Sequence, residues 1–212
     1  IDYSLAPQAA FPRGLEEIYY AYCWALENFH SLGTTGERVV FAGDSAGSNL
    51  ISALIVKLIE EGIQLPHGIV NIYGIFNIDF MISPSAALTL MDPILPFGIT
   101  SNLIKAYAMD KKASMGLDLN ENIVVDEDNE KKDIPDKFNF VFQKSNYLSP
   151  YQSPDEILRE FPPTRFVSAI LDPLCDDSIE FGKKLRALDV DVELNMLNGL
   201  YHGFLYFIQV QL

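Results

Sequence analysis

Val39-Val40-Phe41-Ala42-Gly43-Asp44-Ser45-Ala46-Gly47-Ser48-Asn49-Leu50 is the stretch that decides how this chain is read. Four apolar residues lead into Gly-Asp-Ser-Ala-Gly, a G-x-S-x-G pattern that marks a sharp strand-to-helix elbow presenting a serine hydroxyl. The glycines have a physical reason. The serine backbone is forced into a sparsely populated conformation, and side chains at Gly43 and Gly47 are expected to collide with the neighbouring strand and helix. On the helix side, Leu50, Ile51, Leu54, Ile55, Leu58 and Ile59 recur at helical spacing through Ser48 to Glu61, the buried face of a helix that starts at the elbow. The pattern alone also fits a glycine-flanked helix N-cap serine; strand before and helix after favour a nucleophile. The Ala46 N–H, at the start of that helix, then points to where an oxyanion would form.

A serine hydroxyl at neutral pH needs a base within hydrogen-bond reach and a third group to orient that base. Of three histidines, His30 follows a helical segment and His67 follows Pro66 in a connection. His202 lies in Leu200-Tyr201-His202-Gly203-Phe204, a short loop after the strand predicted over Asp191 to Leu197 and before an apolar, helix-like tail. For the acid, Arg165 to Leu171 reads as a strand ending at Asp172, and open α/β sheets carry their chemistry at the C-terminal ends of their strands. Asp176 and Asp177 are assigned to capping the following helix, predicted over Ser178 to Leu188. The chain order Ser45, Asp172, His202 is the Ser, Asp, His order expected after a G-x-S-x-G elbow.

Asp2-Tyr3-Ser4-Leu5-Ala6-Pro7, Phe11-Pro12-Arg13, the Gly43–Gly47 elbow with Asn49 two residues on, Asp172-Pro173-Leu174 and His202-Gly203-Phe204 together resemble the hormone-sensitive lipase family of α/β-hydrolases. Tyr22-Cys23-Trp24-Ala25, Leu32 to Arg38 and Leu90-Met91-Asp92-Pro93-Ile94-Leu95-Pro96 resemble the lipases that give the family its name more than its bacterial or arylacetamide-deacetylase relatives. The resemblance covers nearly all of the chain outside residues 110–145. It implies a serine esterase acting on acylglycerols, cholesteryl esters and related lipid esters, with Ser45, Asp172 and His202 as its triad and no cofactor. It further implies a cytoplasmic location, work at a lipid-droplet surface and a homodimer. A binding protein on the same fold, without catalysis, and a small-ester carboxylesterase remain open alternatives.

One departure stands out. Members of that family carry His-Gly-Gly-Gly upstream of Asp-Tyr-x-Leu-Ala-Pro, and its amides form most of the oxyanion hole; no two glycines are adjacent in this chain. Ile1 to Ser4 reads as a strand, so the chain is expected to begin inside the catalytic domain. The expected sheet then has a gap between that strand and the one leading to Ser45, with unpaired edges and little or no activity in the isolated chain.

Composition narrows the function classes. With 212 residues and 49% hydrophobic content, one catalytic domain with one core is the natural count. A net charge of -14 argues against nucleic acid and against electrostatic docking on anionic membranes. No apolar run reaches the ~18 residues of a membrane span. Cys23 and Cys175 are expected to be free buried thiols, and no histidine or cysteine cluster has metal-ligand spacing.

Alternating strand and helix predicts an α/β fold with a mainly parallel sheet. A helix is predicted over Leu15 to Ser31, with Ile18, Tyr19, Tyr22, Cys23, Leu26 and Phe29 on one face, and a strand over Gly68 to Gly74. In the resemblance, Ser83 to Met109 is the lid side, where Leu88, Leu90, Met91, Leu95 and Phe97 line an acyl pocket; ordinary helix packing is the plainer reading. Residues 110–144 hold the charge run Asp126 to Asp133, a surface insertion by composition. Its place matches the regulatory insertion of vertebrate family members, where phosphorylation is known. Lys111-Lys112-Ala113-Ser114 makes Ser114 a faint match to a basophilic kinase site, against the plainer reading of a solvated lysine pair.

Overall fold

The computed structural model describes residues 1–78, 83–108 and 145–208. Four parallel strands form one sheet in the order β1 (Val40–Asp44), β2 (Gly68–Ile72), β3 (Thr164–Ala169), β4 (Val192–Leu197). The helices are α1 (Arg13–Glu27), α2 (Ala46–Glu61), α3 (Phe97–Ala108), α4 (Asp155–Leu158), α5 (Cys175–Ala187) and α6 (Phe204–Ile208). Helix α2 packs on β1 and β2, α5 packs on β3 and β4, and α1 packs on α2. This is the parallel α/β arrangement expected from the alternation of elements.

Hydrophobic periodicity sets the core. Leu50, Leu54, Ile55 and Leu58 of α2 are buried as their spacing predicts, while Ile51 and Ile59 are half-buried against the same cluster. Ser52, Ala53 and Val56 are buried as well, because α2 has α1 on one side and strands on the other. A second centre is aromatic: the Phe181 ring of α5 lies 5.0 Å from Phe76, 5.8 Å from Phe161 and 5.9 Å from Phe166. Helix α1 stops at Glu27, earlier than predicted, because the Asn28 side chain donates to the Trp24 carbonyl and so takes an acceptor the next turn would use. A short 3-10 turn, Phe29–Leu32, follows and closes on Gly33 at φ 72°.

The first segment corrects the sequence reading. Ile1 to Ser4 form no strand. A strand exists only by lateral pairing, and here the Ser4 amide and hydroxyl are held instead by the Glu17 carboxylate of α1. Ile1 and Tyr3 lie across a cleft from β1, which is an edge strand of the sheet among the described residues. Val39 O accepts from the His67 amide and Ser45 N–H donates to Ile72 O, so odd-numbered residues face β2. By strand alternation, the backbone groups of Val40 and Ala42 point to the outer side, where no strand pairs with β1 among the described residues.

Candidate active site

The elbow forms where the sequence places it. Ser45 follows β1 and precedes α2 with φ 51° and ψ -119°, a conformation that costs a non-glycine residue about 1–3 kcal/mol. Its N–H donates to Ile72 O at 2.9 Å, and the Ser48 hydroxyl donates to Gly43 O at 2.7 Å, which ties both sides of the turn to the sheet. A Cβ on Gly43 would stand 2.6 Å from the Gly47 carbonyl carbon and oxygen, so there the expected collision is real. Gly47 differs: a Cβ there meets nothing within 4 Å, because Gly47 faces the open cleft. Ala46 is the first residue of α2, so its amide is among those that helix geometry leaves without an intrahelical acceptor.

Three side chains 127 and 30 residues apart along the chain converge at the C-terminal edge of the sheet. Ser45 Oγ lies 2.9 Å from His202 Nε2, and His202 Nδ1 lies 2.9 Å from Asp172 Oδ2. The carboxylate at Nδ1 fixes the tautomer: Nδ1–H donates to Asp172, which leaves the Nε2 lone pair to accept the Ser45 hydroxyl proton. Asp172 is fully buried and His202 is 4% exposed. The second carboxylate oxygen, Oδ1, accepts from the Leu174 amide at 2.8 Å, so the orienting acid is itself held.

The remaining candidates have other partners. His67 Nδ1 accepts from the Val39 amide, and His30 belongs to the 3-10 turn. Asp176 and Asp177 lie inside the first turn of α5, which begins three residues earlier than predicted, and they do not cap it. Asp177 Oδ2 accepts from the Phe76 and Asn77 amides, and Asp176 Oδ2 accepts from Ser85 N at 2.8 Å, so both cap distant loops. Burial pushes the Asp177 carboxyl up to about 7, against the opposing effect of its two backbone donors. Cys175 is buried, and burial pushes its thiol up; Cys23 is half-buried rather than buried.

A cleft of about 1070 Å³ opens at Ser45 and His202 and runs along the outer side of β1. Trp24, Phe29, Phe41, Leu54 and Ile94 give it an apolar lining. Ile94 is the residue of the predicted acyl-pocket stretch that reaches it. Leu90, Met91 and Phe97 are largely exposed and Leu95 is half-buried, and none of the four lines the cleft. The stretch is bent by Asp92, whose Oδ1 accepts from the Ile94 and Leu95 amides, and this turn directs Ile94 inward. Ser114 and the charge run over 110–144 lie outside the described residues. Tyr73, buried against His202, was not foreseen; its place at the end of β2, on the edge that carries Asp172, is the signal that could have found it.

A strained elbow serine, an imidazole and a buried carboxylate on the C-terminal edge of a parallel sheet define a hydrolase-type site. The chain belongs to the alpha/beta hydrolase fold family, whose model matches residues 1–206. Within it, 108 residues are 47% identical to hormone-sensitive lipase of Mus musculus, over 51% of this chain and 14% of that protein. Human hormone-sensitive lipase is 48% identical over the same length, 10% of its own. Arylacetamide deacetylase of Bos taurus is 27% identical across 98% of this chain and 59% of its own. Carboxyl esterase 2 of Tuber melanosporum superposes with a TM-score of 0.76 at 26% identity, over 96% of this chain and 56% of its own. An esterase of Pyrobaculum calidifontis shares the fold with a TM-score of 0.78 at 24% identity, over 99% of this chain and 59% of its own. The chain thus spans about a seventh of the mouse hormone-sensitive lipase and a little over half of the esterases.

Proposed function

We propose that this chain is a serine-dependent carboxylic ester hydrolase, with Ser45 as nucleophile, His202 as general base and acid, and Asp172 as the group that orients the imidazole. The observation that carries the reading is the pair of 2.9 Å contacts linking Ser45, His202 and Asp172. His202 Nε2 takes the Ser45 proton as Oγ attacks the ester carbonyl, forming a tetrahedral oxyanion that faces the Ala46 amide. The same proton then passes from Nε2 to the leaving alkoxide as the C–O bond breaks, leaving an acyl-Ser45 ester. Water, deprotonated by His202, attacks that ester and releases the acid and free Ser45.

The substrates proposed are neutral lipid esters, acylglycerols or cholesteryl and related esters, met at a lipid-droplet surface in the cytoplasm. The identity to hormone-sensitive lipases supports this choice. A small-ester carboxylesterase is the second reading, favoured by arylacetamide deacetylase and the Tuber esterase, which match almost the whole chain.

Labelling with a fluorophosphonate probe tests the nucleophile: the chain is expected to label and Ser45→Ala is not. Labelling that persists in Ser45→Ala would remove the proposed mechanism. Comparing p-nitrophenyl butyrate with an emulsified diacylglycerol separates the two substrate classes.

A further inference from the structure

We propose that Tyr73 is a positioning residue for His202 and that Asp44 is its anchor; the inference rests on the catalytic reading of His202 given above. Two hydrogen bonds hold the imidazole, one donated by its Nδ1–H to Asp172 Oδ2 and one accepted at Nε2 from the Ser45 hydroxyl. Both act at opposite nitrogens of one flat ring. Together with the covalent bond to Cβ they set the plane of the ring, but neither resists its displacement out of that plane as a packed neighbour does.

Tyr73 supplies that packed neighbour. Its ring centroid lies 4.9 Å from that of His202, with 61° between the planes, and 4.9 Å from that of Phe204 at 80°. Both are edge-on contacts, so the phenol touches the imidazole and the first residue of α6 at once. The side chain is fully buried, and it is delivered there by an unusual backbone: φ is 38°, held by the Tyr73 N–H donating to Val167 O at 2.7 Å. A β-strand residue with ordinary dihedrals would carry its side chain elsewhere.

The far end of the phenol is fixed as well. Its hydroxyl donates to Asp44 Oδ2 at 3.1 Å, and Asp44 is the residue directly before the nucleophile. Burial and the Asp44 carboxylate both push the phenol's proton affinity up, so it stays a donor. One tyrosine thereby spans from the strand end bearing Ser45 to the loop bearing His202, two parts of the chain that no strand pairing joins among the described residues.

The test uses Tyr73→Leu, Tyr73→Phe and Asp44→Ala in this chain, each checked for folding by thermal melting, with two readouts. The first is fluorophosphonate inactivation resolved into its maximal rate and its half-saturating concentration. Tyr73→Leu is expected to lower the maximal rate about tenfold with half-saturation unchanged, within the roughly hundredfold that a misplaced group can cost. Tyr73→Phe and Asp44→Ala, which keep a ring beside His202 but lose the anchor, should fall in between. The second readout needs no turnover: proton exchange at His202 Nδ1–H, followed by NMR, should be faster in Tyr73→Leu than in wild type and closer to wild type in Tyr73→Phe. A folded Tyr73→Leu with wild-type exchange at Nδ1–H overturns the proposal, as does an unchanged maximal rate in a chain that labels. Failure of the catalytic reading is distinct, since it appears as labelling in Ser45→Ala. If Tyr73→Leu does not fold, Asp44→Ala and Tyr73→Phe decide, and wild-type values in both overturn the anchor.

Discussion

Gly43 and Gly47 look equivalent in the sequence motif, yet the structure predicts opposite outcomes for Gly43→Ala and Gly47→Ala. At Gly43 the new methyl would lie 2.6 Å from the carbonyl carbon and oxygen of Gly47 and 2.9 Å from Ser48 N. All three are backbone atoms of the first turn of α2, so no side chain can swing aside and the turn itself must move. Overpacking of this kind costs about 1–3 kcal/mol. At about 2–4 °C of Tm per kcal/mol for a chain this size, melting should drop measurably. The displaced turn carries Ser45 away from His202 Nε2, so fluorophosphonate labelling should slow as well. At Gly47 the methyl meets nothing, the residue is helical, and alanine is favoured over glycine in a helix by about 0.8–1 kcal/mol. Gly47→Ala should therefore melt at or slightly above the wild-type temperature. Equal losses in the two variants, or a larger loss in Gly47→Ala, would refute the steric account of the elbow.

Other perturbations follow from single contacts. Because Asp177 keeps its proton to about pH 7 when folded and to about pH 4 when unfolded, the folded chain binds more protons between those values, and stability falls as pH rises there. Urea unfolding at pH 5 and 7 should show Asp177→Asn losing less stability over that interval than wild type, by up to about 1.4 kcal/mol per pH unit. Ser48→Ala leaves the Ile72 amide without the hydroxyl it now meets at 2.9 Å and should cost about 1–3 kcal/mol in urea unfolding. Phe181→Ala empties the centre of the aromatic cluster and should cost about 3–5 kcal/mol. Asp172→Asn frees the imidazole tautomer while keeping its shape, and should slow labelling by up to about 10⁴-fold with binding of the probe little changed.

What could be read from the residues was whatever short-range chemistry decides. The Ser45 elbow is local, since an apolar run, glycines and a helical repeat are neighbours in sequence. Asp172 and His202 were legible because each follows a strand, and strand ends gather on one edge of a parallel sheet. What stayed hidden depends on pairing across distance. Whether Ile1 to Ser4 form a strand is settled by a lateral partner, not by their own propensity. The amides that Asp176 and Asp177 cap lie 91 to 101 residues away, so their positions next to a helix start suggested the wrong recipient. Room around Gly47, and the inward turn that selects Ile94 over Leu90 or Phe97, exist only once other segments surround them.

The six residues from Asp172 to Asp177, braced internally by the Leu174 amide, fasten three otherwise separate regions: the His202 loop, the Phe76–Asn77 backbone and the Ser85 turn. Substitutions within it will not add, because each loosens the seat of the others. A variant of Asp176 or Asp177 that labels poorly is thus no sign that either carboxylate meets an ester; a shifted Asp172 gives the same result. Only a double-mutant cycle against Asp172 can separate the two origins.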